Sequence, residues 1–177
     1  MKGREVYALL ARYLILALLV FVGYNVVYFV TSEITVYLSF LTIHLVYPNS
    51  FLLPGTSTIF INGTYIDLIE ACIGVAAYYL LIFLNLTTPM GSLTRVKSLS
   101  FLLVSFLVMN IVRIFIFALV FMEGYSFFNF AHILFWYLGS TLFVAVLWFL
   151  SVIFFRIEKI PVYSDIVALL RGARGKG

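Results

Sequence analysis

From Leu99 to Phe121 the chain meets one charged residue, Arg113, in a continuous stretch of Leu, Val, Ile and Phe. A segment of that kind has two homes, the interior of a large protein or the hydrocarbon of a membrane. Three more runs share its character. They are Val6 to Val30, broken by Arg12 near its start, about Ala71 to Thr88, ended by Pro89 and Gly91, and about Phe130 to Phe155. Each is near the roughly 20 apolar residues that cross a bilayer. Composition decides between the two homes. The 177 residues are 64% hydrophobic and 10% charged, against about 25% charged in a soluble domain. So little charge cannot cover a water-facing surface. The expected fold is an all-α membrane protein, a single integral domain over residues 1–177 with about four transmembrane helices (6–30, 71–88, 99–121 and 130–155). The first run is too long for a signal-peptide core and no small-residue cleavage site follows it, so it reads as a permanent anchor.

A fifth run, "EITVYLSFLTIHLVY" over 33–47, stops at Pro48. As a helix it reaches roughly 22 Å, short of the hydrocarbon thickness. The basic residues fix how it is counted. Lys2, Arg4 and Arg12 lie at the first end, Arg95 and Lys97 between the second and third runs, and Arg156, Lys159, Arg171, Arg174 and Lys176 after the last. Segments 31–70 and 122–129 hold no Lys or Arg, but carry Glu33, Asp67, Glu70 and Glu123. The excess of Lys and Arg on cytoplasmic loops puts both termini and the 89–98 loop inside. Four spans satisfy this, whereas five would carry the first basic cluster outside. Residues 33–47 are therefore expected to lie along the outer interface as an amphipathic helix, N-capped near Thr31 or Ser32. A fifth span is the competing reading.

The outer segment 48–70 has a different pattern. In "TIFINGTYIDL" two short β-rich stretches flank Asn62-Gly63, the pair favoured in a type I′ hairpin turn. A small outer β-hairpin is expected just before the second span. Asn62-Gly63-Thr64 is also a glycosylation sequon, although the turn alone accounts for it. Residues 156–177 form a cytoplasmic tail, with a short helix expected from Ser164 to Arg171.

Within this frame a few polar side chains sit where they cost energy. Cys72, the one cysteine, starts the second span at the outer face. A single thiol excludes an intrachain disulfide and a zinc site built from cysteine pairs. A lone Cys in an apolar helix is usually a small core residue, but a helix N-terminus and a nearby cation favour thiolate. Arg113 lies roughly 12 Å below the outer end of its span, and an Arg there normally faces the bundle interior with partners. It fits a catalytic cation, or a structural Arg bonded to carbonyls at a helix break. Asn110, three residues earlier, shares its helix face and is placed to hold the guanidinium. His132 starts the fourth span at the outer face, as a base or as a polar residue of the interfacial belt. Gly74 permits close approach of a backbone or substrate. Glu70 and Asp67 oppose a thiolate at Cys72 unless they turn elsewhere. His44 reads as an interfacial polar residue. A Cys, a His and an Arg converging at one membrane face supply a nucleophile, a base and an anion stabiliser. The basic residues cluster beside the membrane, so nucleic acid is not an expected partner.

Three short motifs occur in order: "EACIGV" at the outer start of a span, "NIVRI" in the next, and "FNFAHILFWY" at the outer start of the one after. This ordered set, with the preceding hairpin, resembles the exosortase/archaeosortase family of membrane transpeptidases over about residues 33–150. The family usually has Thr or Ser after the Cys, where this chain has Ile73. The short chain is similar to the compact archaeal members. The resemblance implies that Cys72 is the nucleophile, Arg113 the essential Arg and His132 the third catalytic residue, with no metal or cofactor. It implies substrates as well: secreted proteins whose C-terminus carries a recognition motif, a transmembrane helix and a basic cluster, cleaved at the outer face of the cell membrane and joined to a membrane lipid. Two other functions fit the residues. One is a thiol protease that hydrolyses without transfer; the other is a non-enzymatic membrane assembly or transport protein.

Overall fold

The computed structural model describes residues 3–124, 133 and 140–157, with the backbone alone described for 3–22 apart from Leu14. The described chain is mostly helical with one small antiparallel sheet. Helix α1 (Gly3–Val46) leads to β1 (Phe51–Leu52), β2 (Thr58–Ile61) and β3 (Thr64–Asp67). A single helical turn, α2 (Glu70–Ile73), precedes α3 (Val75–Thr87), α4 (Ser92–Met122) and the last described helix, Ser140–Phe154, here α5. Two helical stretches, Gly23–Val46 and Ser92–Met122, are long and apolar enough to cross a membrane.

The first helix departs from expectation. No boundary separates a span ending at residue 30 from an interfacial helix at 33–47; α1 is continuous through both. The residues proposed as its cap explain why. Thr31 Oγ1 donates back to the Val27 carbonyl at 2.7 Å, and Ser32 Oγ to the Phe29 carbonyl at 3.2 Å. Both hydroxyls are thus satisfied inside the helix that they were expected to interrupt. No Gly or Pro stands between Tyr24 and Tyr47 to break it. The 44 residues of α1 extend roughly 66 Å at the helical rise.

The hairpin forms at the expected place. Asn62 and Gly63 both have positive φ, 46° and 89°, as a type I′ turn requires. Thr64 pairs with Ile61 and Asp67 with Thr58. The sheet has one more strand than expected. β1 joins β2 with Phe51 opposite Phe60, through a turn in which Thr56 N–H donates to the Leu53 carbonyl at 3.2 Å. Pro54 and Gly55 (φ 72°) hold the two central positions of that turn, a type II arrangement.

Alternation along β2 buries Ile59 and Ile61 and turns Thr58 and Phe60 outward. The buried face packs with Leu68 on Val36 and Ile43 of α1 and Ile114 and Ala118 of α4. A second core joins Tyr78 and Leu81 of α3, Leu102 and Phe106 of α4, and Val144, Leu147 and Trp148 of α5. Helix α4 serves both. Its buried residues recur every fourth position from Ser98 to Ala118, while Val104, Val108, Val112 and Ile116 are at least half exposed on another face. An exposed β-branched stripe of this kind is unusual against water and ordinary against lipid.

At the far end of the bundle from the sheet, Arg95 lies within α4 rather than in a loop, and it closes α3. It donates to the carbonyls of Asn85, Leu86 and Thr88 at 2.7–3.0 Å, groups that a helix C-terminus leaves without partners. Beside it, buried Asn85 donates to Ser98, which is 2.7 Å from Ser151 of α5.

Candidate functional site

The second apolar segment does not form one helix. Cys72 sits in the single turn α2, and Gly74 takes a left-handed conformation (φ 77°) before α3 starts at Val75. Cys72 therefore precedes the long helix instead of occupying its first turn, and the dipole of one turn offers a thiolate little. The break has a second consequence. In an unbroken helix the carbonyls of Ala71, Cys72 and Ile73 would accept N–H groups four residues on. Here Ala77 and Tyr78 N–H both donate to the Gly74 carbonyl, which leaves those three carbonyls to be satisfied from elsewhere.

Helix α4 supplies the donors. Asn110 Nδ2 donates to the Cys72 carbonyl at 3.0 Å and to the Ile73 carbonyl at 2.9 Å. Arg113 Nη2 donates to the Cys72 carbonyl at 3.0 Å and the Ala71 carbonyl at 3.4 Å, and Nη1 to the Ser140 hydroxyl at 2.7 Å. Asn110 does share the face of Arg113, but it holds the Cys72 main chain and not the guanidinium. Its buried Oδ1 has no hydrogen-bond partner among the described residues. Arg113 thus makes the helix-break contact that the sequence left open as a structural role.

The same Arg113 also lines a cavity of about 250 Å³ together with Cys72. Tyr65, Asp67 and Ile69 form one wall and Ile114, Phe117 and Phe121 the other. The cavity opens beside the half-buried Cys72. Arg113 and Asp67 are the two charged side chains on its wall. A thiolate in such a half-buried place depends on the cation.

Glu70 turns away. Its Oε2 accepts the Tyr24 hydroxyl of α1 at 3.2 Å, and it is not part of the cavity wall. Asp67 stays on the wall and accepts the Thr58 hydroxyl at 3.2 Å. The expectation for Gly74 needs correcting. Its missing side chain makes room for the protein itself, since a Cβ there would lie 3.1 Å from the Phe106 ring. His44 Nδ1 lies 3.1 Å from the Ser50 carbonyl and fixes the turn after α1. His132 lies outside the described residues, as do most of residues 125–139 and the tail from 158. Among the described residues no group of three His, Cys, Asp or Glu side chains converges to hold a metal ion.

Sequence reasoning missed Ser140 and Phe106, both ordinary residues in apolar helices, and it treated Asp67 as a residue to be turned away. Only their placement gives them meaning. One prediction arises directly. Gly74→Ala must hold an Ala in the left-handed region, at roughly 1–2 kcal/mol, and displace the Phe106 ring. Thermal unfolding in detergent is expected to fall by that much or more, and a Gly74→Ala/Phe106→Leu double variant should recover the steric part alone.

No protein-family model, curated protein or solved structure matches the chain.

Proposed function

We propose that the protein is a membrane-embedded cysteine transpeptidase, resembling the exosortase/archaeosortase family, which cleaves C-terminal sorting tails of secreted proteins. The observation that carries this reading is the shared cavity of Cys72 and Arg113, far apart in sequence, under a small β-sheet at one end of the helices. In the proposed membrane arrangement α1, the α2–α3 unit, α4 and α5 are the four spans, with both termini cytoplasmic and the sheet outside. The break at Gly74 is tolerable at membrane depth because Asn110 and Arg113 satisfy its carbonyls. This arrangement predicts that, in a Cys72→Ala background, a cysteine at exposed Thr56 reacts with an impermeant maleimide on intact cells. A cysteine at exposed Ser92 should react only after permeabilisation. Labelling of Ser92 from outside would overturn the arrangement.

In the proposed mechanism the Cys72 thiolate attacks the scissile carbonyl carbon. The oxyanion that forms is stabilised by the Arg113 guanidinium, whose charge favours both thiolate and oxyanion. Collapse breaks the C–N bond, and the departing amine of the tail takes a proton, the role that the resemblance gives to His132. The tail helix leaves through lipid. An amine or hydroxyl of a lipid head group then attacks the thioester, forms the new amide or ester, and returns the thiol. Neither step uses a metal or cofactor. The bonds of Arg113 to main-chain carbonyls favour a second, non-enzymatic reading in which Arg113 only holds the break.

The two readings separate in a host lacking the wild-type gene, with one of that host's own secreted, tailed proteins as reporter. The transpeptidase reading expects a processed, lipid-linked C-terminus with wild type and an intact tail with Cys72→Ala. A free carboxylate would mean hydrolysis without transfer. Equal processing with and without the thiol would leave the non-enzymatic reading.

A further inference from the structure

The wall of the cavity nearest the sheet is made by consecutive residues, Tyr65 to Ile69. Side chains on a strand alternate between faces, so a run of neighbours can line one groove only where the groove abuts the strand's main-chain edge. β3 is an edge strand, in the order β1-β2-β3. Its register fixes which main-chain groups face outward. In a two-residue hairpin the pair flanking the turn, here Ile61 and Thr64, exchanges hydrogen bonds, and bonded pairs alternate along the ladder. Ile66 therefore bonds Ile59. Leu68 N–H donates to the Ser57 carbonyl at 3.0 Å, in the same phase. On the other edge of β2, Leu53 N–H donates to the Thr58 carbonyl at 3.0 Å, as the phase requires. Tyr65 and Asp67 thus present their N–H and C=O groups away from the sheet, toward the groove, and no other described main chain pairs with them.

We propose that this edge of β3 is the docking rail for an extended polypeptide, the segment just before the scissile bond, which adds a fourth strand and is led to Cys72. The proposal rests on the reading that Cys72 is the nucleophile. The occupant follows from the chemistry of the edge. Alternating donors and acceptors at two-residue spacing are complementary to another extended main chain, and the rail is continuous with the cavity that holds Cys72 and Arg113. β3 runs toward Cys72, so a substrate whose folded part lies beyond the hairpin, and whose tail helix enters the membrane past Cys72, pairs parallel to β3. Side chains of alternate residues then face α4 at Ile114, Phe117 and Phe121, an apolar wall, so selectivity is for apolar groups at every second position. Left without an occupant, such an edge would invite unwanted pairing.

Proline at position 65 tests the rail. The Tyr65 N–H takes no part in the ladder, so Tyr65→Pro removes an outward donor without removing a β2–β3 bond. Tyr65→Ala removes the same side chain and keeps the donor. Loss of one main-chain bond that leaves its carbonyl partner unpaired corresponds to roughly tenfold. With the host's tailed reporter, and with thermal unfolding of the two variants matched, cleavage by Tyr65→Pro is expected at least about tenfold below Tyr65→Ala. Equal cleavage would overturn the rail, while the reading of Cys72 stands so long as Cys72→Ala is inactive. Should Cys72→Ala still cleave, that reading falls instead. If Tyr65→Pro does not fold, the wild-type protein in detergent decides. A synthetic peptide copying the reporter's tail, N-methylated at one position at a time, is scored for protection of Cys72 from iodoacetamide. Loss of protection at every second residue before the scissile bond is expected, and a flat response would overturn the rail.

Discussion

Cys72→Ser is expected to stop the proposed tail processing, with a loss of about 10⁴–10⁶-fold, the range seen when a covalent nucleophile is removed. The substitution exchanges sulfur for oxygen and little else. The main chain at position 72 is held on both sides: the N–H donates to the Ile69 carbonyl, and the carbonyl accepts from Asn110 and Arg113. Those contacts are indifferent to the side chain, so the helix break, the cavity and the fold should persist. A hydroxyl holds its proton several units above a thiol, and a single guanidinium cannot make up that gap in a half-buried site. Processing near wild-type level by Cys72→Ser, in cells without the native gene, would remove the nucleophile from the account.

Arg113→Lys is expected to fold and to lose about 10²–10³-fold in cleavage, the scale of losing one preorganised anion-stabilising donor. The Arg113 guanidinium bonds in two directions at once, to the Ser140 hydroxyl from Nη1 and to the Ala71 and Cys72 carbonyls from Nη2. A planar fork can do this with donors left over to face the cavity. A lysine ammonium is a single point at the end of a flexible stem. It can reach the carbonyls and preserve the break, or face the cavity, but not both. The variant should therefore keep its thermal unfolding to within a few degrees and its expression level while cleavage falls. Arg113→Ala, which removes the donor to the part-buried Ala71 carbonyl and one of the two donors to the Cys72 carbonyl, should lose stability as well. Full cleavage by Arg113→Lys would reduce Arg113 to a structural residue.

The parts of this molecule written in local chemistry were legible in the sequence. Asn62-Gly63 demanded a turn with two positive φ values, and the turn is there. The dense apolar run ahead of Phe121 became a long helix, and it starts at Ser92 because nothing between Ser92 and Leu99 opposes helix. The boundary at Thr31 failed because a hydroxyl that can cap a new helix can equally bond back into an existing one, and sequence does not choose between them. β1 was missed although Pro54-Gly55 was a readable turn signal, since a two-residue strand has no periodicity of its own. At the site, sequence order and spacing singled out Cys72 and Arg113, and both line one cavity. What sequence could not convey is that Gly74 breaks the helix, because an isolated Gly in an apolar run is also tolerated inside one. From that break follow the bonds of Asn110 and Arg113 to main-chain carbonyls, the exclusion of Cys72 from the N-terminus of α3, and the groove against the edge of β3.

The central claim is a covalent bond between Cys72 and the cleaved polypeptide. It is tested most directly by intact-mass analysis of the purified protein, acid-quenched during reaction with the tailed reporter in detergent. The account predicts a mass increase equal to the reporter upstream of the scissile bond, mapped to Cys72, released by hydroxylamine and absent from Cys72→Ala. Cleavage of the tail by Cys72→Ala at the wild-type rate, with no hydroxylamine-labile adduct on either protein, would contradict it.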